Sequence, residues 1–284
     1  MKKFLAVVLA ALMLVACFAG CSKTGNAGAK GVKVIDFALT EEEYAYAVKK
    51  GDADLLNKLN EFLTSIQADG TFDKIINSYF GDGTPTAVKS GVKGENDNQL
   101  VVATNAAFAP FEYMDGADYY GIDMEIMAKF AEYLGKELVV DNMEFDSVCA
   151  SVGNGQCDVA AAGLTVNDTR KEILDFSTSY YNAAQVIMCK ADDTTFDSCK
   201  ELADVEAILK GYDSSKKIGV QKGTTGNYYV TGDEDWGFDG LAVTCKEYSN
   251  GSLAAQDMLN GNIDLVIIDE APAKAISTSI NAMN

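Results

Sequence analysis

The chain has 284 residues, 48% of them hydrophobic and 23% charged, a globular composition with room for one large domain or two modest ones at roughly 150 residues each. Its 23 basic and 42 acidic residues give a net charge of −19, which repels phosphate backbones and argues against a nucleic-acid partner. The lack of histidine excludes His-based zinc sites, Ser-His-Asp and Cys-His nucleophile pairs and an imidazole pH switch, and of the basic residues only Arg170 is an arginine.

Lys2 and Lys3 precede an apolar run from Phe4 to Phe18, too short for a span of about 20 residues and suited to a secretory signal. Leu14–Cys17 and Phe18–Cys21 both resemble the lipobox of bacterial lipoproteins, in which the cysteine carries lipid. Cys21, after two small residues and before the polar stretch 22–30, is favoured over Cys17 and implies residues 1–20 as signal, 21–30 as tether and a lipid-anchored, extracytoplasmic protein. Cys149, Cys157, Cys189, Cys199 and Cys245 fit no metal or redox spacing. They read as idle thiols, with one disulfide possible in an exported protein.

Val32–Leu39 suits a strand and residues 40–43 a turn, after which Tyr44, Tyr46 and Val48 alternate with Ala45, Ala47 and Lys49 as a strand does. Asp52 is placed to cap a helix whose apolar face is Leu55, Leu56, Leu59, Phe62, Leu63 and Ile66. Gly70 stops it, and a second helix carries Phe72, Ile75, Ile76, Tyr79 and Phe80. Residues 81–99 lose all periodicity and read as a flexible linker. Strands at 100–104, 137–141, 158–162, 184–189, 217–221, 242–248 and 263–268 then alternate with helices at about 121–134, 146–154, after Gly226 and at 252–260. This is an α/β pattern with mainly parallel sheets, whose ligands bind at the carboxyl ends of strands.

Three strand ends carry candidate chemistry. Gly163–Arg170 turns from a strand into a helix, where unpaired N–H groups and a guanidinium suit a carboxylate; Thr165 and Arg170 form the clamp, unless Arg170 is an exposed helix residue pairing with Asp168 or Glu172. Val220–Gly226 offers further donors but fails the Walker spacing. Asp269 emerges from a buried strand to accept an ammonium or to cap the next helix.

Thr104–Tyr113, Gly121–Ile126, Ala162–Arg170, Asp175–Tyr181, Val220–Gly226 and Asp264–Asp269 together resemble, in order, the solute-binding proteins of polar-amino-acid ABC transporters, extracellular family 3. The Gly121 signature departs from the usual pattern at Phe130, where an aliphatic residue is common. The resemblance implies a periplasmic-binding-protein-like type II fold of two lobes joined by two hinge strands, near 44–48 and 184–187. It implies a carrier for a free amino acid, not an enzyme, with no cofactor or metal and with a membrane permease as partner. Arg170, Thr165 and Thr225 would meet the ligand's carboxylate, and Asp269 and the Gly163 carbonyl its ammonium. Phe108 and Phe145 would wall the side chain, while Asn105 and Gln221 would tune selectivity. Neutral Asn105 favours a neutral polar ligand such as glutamine or cystine. The fold also hosts dehydratases and sensor domains, the alternative reading.

In that family the segment resembling 31–80 closes the chain, whereas here it comes first. The expected arrangement is a circular permutation: 49–80 with 98–183 as one lobe, 31–43 with 188–284 as the other, and 81–97 joining the old termini. A monomer is expected, with swapping of 31–80 into a neighbour as the alternative.

Overall fold

A computed structural model describes residues 31–283; the expected signal, Cys17, Cys21 and the expected tether lie outside the described residues. In chain order the elements are β1 (Val32–Ile35), β2 (Glu42–Tyr44), β3 (Ala47–Lys49), α1 (Ala53–Ala68), α2 (Thr71–Phe80), β4 (Gln99–Thr104), β5 (Ala107–Phe108), β6 (Glu112–Asp115), β7 (Asp118–Tyr120) and α3 (Ile122–Leu134). There follow β8 (Glu137–Asn142), α4 (Phe145–Gly153), β9 (Val159–Ala160), α5 (Asp168–Lys171), β10 (Leu174–Phe176), β11 (Tyr181–Ala183), β12 (Gln185–Lys190), α6 (Leu202–Lys210), β13 (Lys217–Gln221), α7 (Thr225–Thr231), β14 (Thr244–Tyr248), α8 (Gly251–Leu259), β15 (Leu265–Asp269) and α9 (Glu270–Ala282).

Two five-stranded sheets organise the molecule, β10-β3-β9-β4-β8 and β1-β12-β15-β13-β14. In each, three strands linked by helices run parallel, as crossover connections require: β8, β4 and β9 in the first, β14, β13 and β15 in the second. In the first sheet β3, and in the second β12, pairs antiparallel with both its neighbours, so half the pairings of each sheet are antiparallel and the sheets are mixed rather than mainly parallel. The strand next to the parallel set, β3 or β12, enters from the opposite sheet and therefore runs the other way.

The pair β2–β11 joins the sheets, with Tyr44 opposite Tyr181 and Glu42 opposite Ala183. The strand expected over 44–48 is thus broken at Ala45 and Tyr46, and residues 184–187 lie at the end of that pair and in β12 of the second sheet. Tyr44 to Val48 are all at most 1% exposed: protein covers both faces, so the alternation there marks no solvent side. The turn expected at 40–43 is also part strand, because Glu42 and Glu43 belong to β2.

Asp52 caps α1 through the Leu55 N–H at 3.1 Å, and Leu59, Phe62, Leu63 and Ile66 bury its apolar face. The segment after α2 is pinned rather than free. Val88 exchanges backbone bonds with Tyr119, Ser90 accepts from the Val140 N–H at 2.9 Å, and the Gly91 N–H donates to Leu138 at 2.8 Å. At the other end of the chain, Asn281 of α9 brackets the start of β1. Its Oδ1 accepts from the Val32 N–H at 3.0 Å and its Nδ2 donates to the Val32 carbonyl at 2.9 Å. The sheet β5-β6-β7 and helix α6 carry no counterpart in the sequence reading. Among the described residues no helix is long and apolar enough to cross a membrane, and the five cysteines from Cys149 to Cys245 are free thiols.

Candidate functional site

Between the sheets lies a small cavity lined by Phe108, Phe145, Gly163, Thr165, Arg170, Thr224, Thr225 and Asp269. It gathers seven of the nine residues expected from sequence. Asn105 and Gln221 lie outside that lining and bond to each other, Gln221 Nε2 donating to Asn105 Oδ1 at 2.9 Å; Asn105 also donates to the Met143 carbonyl at 2.7 Å.

Arg170 sits on α5, just beyond the first sheet, and is 7% exposed. Its guanidinium donates to the Thr165 carbonyl at 2.7 Å and, across the cleft, to the Gly223 carbonyl at 3.3 Å. It lies 5.5 Å from the Phe145 ring centre and 5.1 Å from that of Trp236, cation–π distances. The alternative of an exposed arginine paired with Asp168 or Glu172 fails. Asp168 pairs with Lys171, and no carboxylate among the described residues forms an ion pair with Arg170 within 4 Å. A guanidinium has five N–H donors, so the two carbonyls leave capacity for a carboxylate. The helix-dipole contribution expected here is small, because α5 has only four residues.

Asp269 ends β15 of the second sheet and is 4% exposed. It makes no capping bond to α9 and instead accepts a hydrogen bond from the Tyr44 hydroxyl. Its carboxyl is pushed up to about 7, first by burial and then by the charge of Glu42, with the Tyr44 hydrogen bond opposing. An ammonium placed against it would reverse that shift.

Gly163 supplies a close approach. Its φ is +51°, and a Cβ there would lie 2.8 Å from the Phe108 ring. Its N–H donates to Asp123 at 2.9 Å, which explains the aspartate of the Gly121 signature as a buried brace that also accepts from Tyr180 and Tyr46. Burial pushes the Asp123 carboxyl up to about 6 against those donors.

Sequence reasoning missed Glu42, Tyr44 and Trp236. Glu42 is 9% exposed and accepts four hydrogen bonds: from Thr165 and Thr225 at 2.6 Å each, Thr40 at 2.7 Å and Gln185 at 3.0 Å. In sequence, residues 40–43 read as a turn, and the strand immediately after them is the local signal that Glu42 leads into buried structure.

The sequence model for bacterial extracellular solute-binding proteins, family 3, matches residues 10–82 and 100–266. Similar curated proteins include a probable histidine-binding protein of Neisseria gonorrhoeae, 29% identical over 60% of this chain and 58% of that one. The arginine-binding extracellular protein ArtP of Bacillus subtilis is 33% identical over 49% and 51% of the two chains, so the chain spans about half to three fifths of these relatives. Among solved structures, an ancestral arginine-binding protein bound to arginine is 34% identical, with a TM-score of 0.54 over 64% of this chain and 74% of that one. The arginine-bound form of truncated ArgBP from T. maritima is 28% identical, with a TM-score of 0.51 over 64% and 78%. The two sheets and their connecting strand pair form a two-lobed type II periplasmic-binding fold, and the chain belongs to family 3 of the bacterial extracellular solute-binding proteins.

Proposed function

We propose that this protein captures a free amino acid outside the cytoplasmic membrane and delivers it to an ABC transporter permease. One observation carries the reading: a buried guanidinium from one lobe and a buried carboxylate from the other line the same cavity, and neither has an ion-pair partner among the described residues. The two ends of a zwitterion complete that pairing. Because the charges belong to different lobes, the ligand stabilises their approach. The cavity is only about 10 Å³, on the scale of a single water, so entry of an amino acid requires the lobes to separate.

The arginine-binding relatives favour L-arginine over the neutral polar ligands that Asn105 alone suggested. A thermal-shift screen of the amino acids followed by calorimetry tests this reading; no shift with any of them would refute it. Lipid attachment at Cys21 is read out by mass spectrometry of the membrane-associated protein.

The chain order supports the circular permutation as part of this reading. The ends of α9 and β1 touch at Asn281 and Val32, as they would if once joined, and the family match is interrupted between residues 82 and 100. Size-exclusion chromatography showing a concentration-independent monomer fits docking of 31–80 on its own chain, and a stable dimer would refute it.

A further inference from the structure

We propose that Glu42 is a positioning residue of the amino-acid site, fastening Thr165 of one lobe to Thr225 of the other and holding both hydroxyls in place. Glu42 lies on β2, where the chain passes between the lobes. One oxygen, Oε2, accepts from both threonine hydroxyls at 2.6 Å. The other accepts from Thr40 and from Gln185 Nε2, which ties the carboxylate to the second sheet. Backbone bonds from Val166 to Glu43 and from Ala45 to Leu164 hold the same strand against the first-lobe loop. The carboxylate is therefore held from both sides, and its four donors fill the acceptor sites such a group possesses.

Thr165 and Thr225 both line the cavity; each hydroxyl lies 2.6 Å from Glu42 Oε2 and the two lie 3.3 Å from each other, so Glu42 holds both hydroxyls in place at the cavity wall. The same arrangement registers closure, because moving the lobes apart by about 1 Å takes a 2.6 Å bond beyond the usual range.

The ligand-directed half of this inference rests on the amino-acid reading; the fastening half does not, and the experiment separates them. Trp236, the only tryptophan of the chain, packs on Arg170 across the cleft and reports lobe contact by its fluorescence. Acrylamide quenching is measured on ligand-free wild type, Glu42→Gln, the Thr165→Val/Thr225→Val double variant and the triple variant, with L-arginine then titrated into each. We expect Glu42→Gln to increase quenching and to weaken L-arginine binding by about tenfold, with a similar loss in the double variant and little further loss in the triple, since Glu42 acts through the threonines. Wild-type quenching in Glu42→Gln, or losses that multiply in the triple variant, would overturn the proposal. If L-arginine fails to bind wild type, the ligand-free quenching still decides the fastening role. Should Glu42→Gln not fold, the double variant must reproduce the increased quenching, and wild-type quenching there overturns the proposal.

Discussion

The two lobes share one plan and differ in charge. In each, three parallel strands take the same spatial order, second-first-third: β8-β4-β9 in one and β14-β13-β15 in the other. In each, the third parallel strand leads through a helix toward an edge strand, then a member of the crossing pair, then a strand of the opposite lobe. In the first lobe that path, α5 to β10 to β11 to β12, is continuous. In the second the matching elements are α9, which comes last among the described residues, and β1, β2 and β3, which come first, with Asn281 of α9 hydrogen-bonded to Val32 of β1. The two lobes therefore share a spatial plan although their elements follow different chain orders. Their chemistry differs: after its third parallel strand one lobe presents a guanidinium and the other a carboxylate.

The sharpest way to break the comparison is to remove either charge. Arg170→Ala and Asp269→Ala should each weaken amino-acid binding by about 3–5 kcal/mol, the cost of leaving a charge buried without its partner; calorimetry that still finds wild-type affinity in both refutes the site. The lobes should next separate by pH. An ammonium favours ionised Asp269, whose carboxyl in this structure sits at about 7, so binding should release a proton and tighten from pH 6 to pH 8, by at most about tenfold per unit below the shifted value. Calorimetry in two buffers of different ionisation enthalpy measures that proton, and none should be released in Asp269→Asn.

Stability gives the opposite sign. A carboxyl raised from near 4 to about 7 on folding favours the folded state below its unfolded value, and that advantage is lost as pH rises through about 7. Asp269→Asn should therefore raise the ligand-free melting temperature more at pH 8 than at pH 5, while Arg170→Ala should show no such pH trend. The smallest effect concerns the contact between α9 and β1. Asn281→Ala removes two hydrogen bonds to Val32 and should cost about 1–2 kcal/mol in denaturant unfolding, with binding unchanged.

How far the site could be read in advance depended on what each residue needs around it. Arg170 was conspicuous as the only arginine of the chain, and Asp269 as an acid at the end of an apolar strand. The aspartate of the Gly121 signature matched a known pattern before its task, bracing Gly163, had any geometric content. Glu42 could not be found that way: in sequence it is the middle of three glutamates, and its importance comes from Thr165, Thr225 and Gln185, which lie 123, 183 and 143 positions away. Trp236 likewise becomes part of the site only when a loop of the second lobe covers Arg170.

By itself the sequence determined the elements with a clean period, such as α1 with its Asp52 cap, the family, and a composition without histidine but with one guanidinium, since these follow from local spacing and residue type. Only the tertiary structure decided that the sheets are mixed, that residues 44–48 split into two strands, and that the segment after α2 is pinned. The same holds for the four donors gathered around Glu42. Strand direction, burial on both faces and hydrogen-bond polarity depend on neighbours brought together from distant parts of the chain, and no local pattern encodes them.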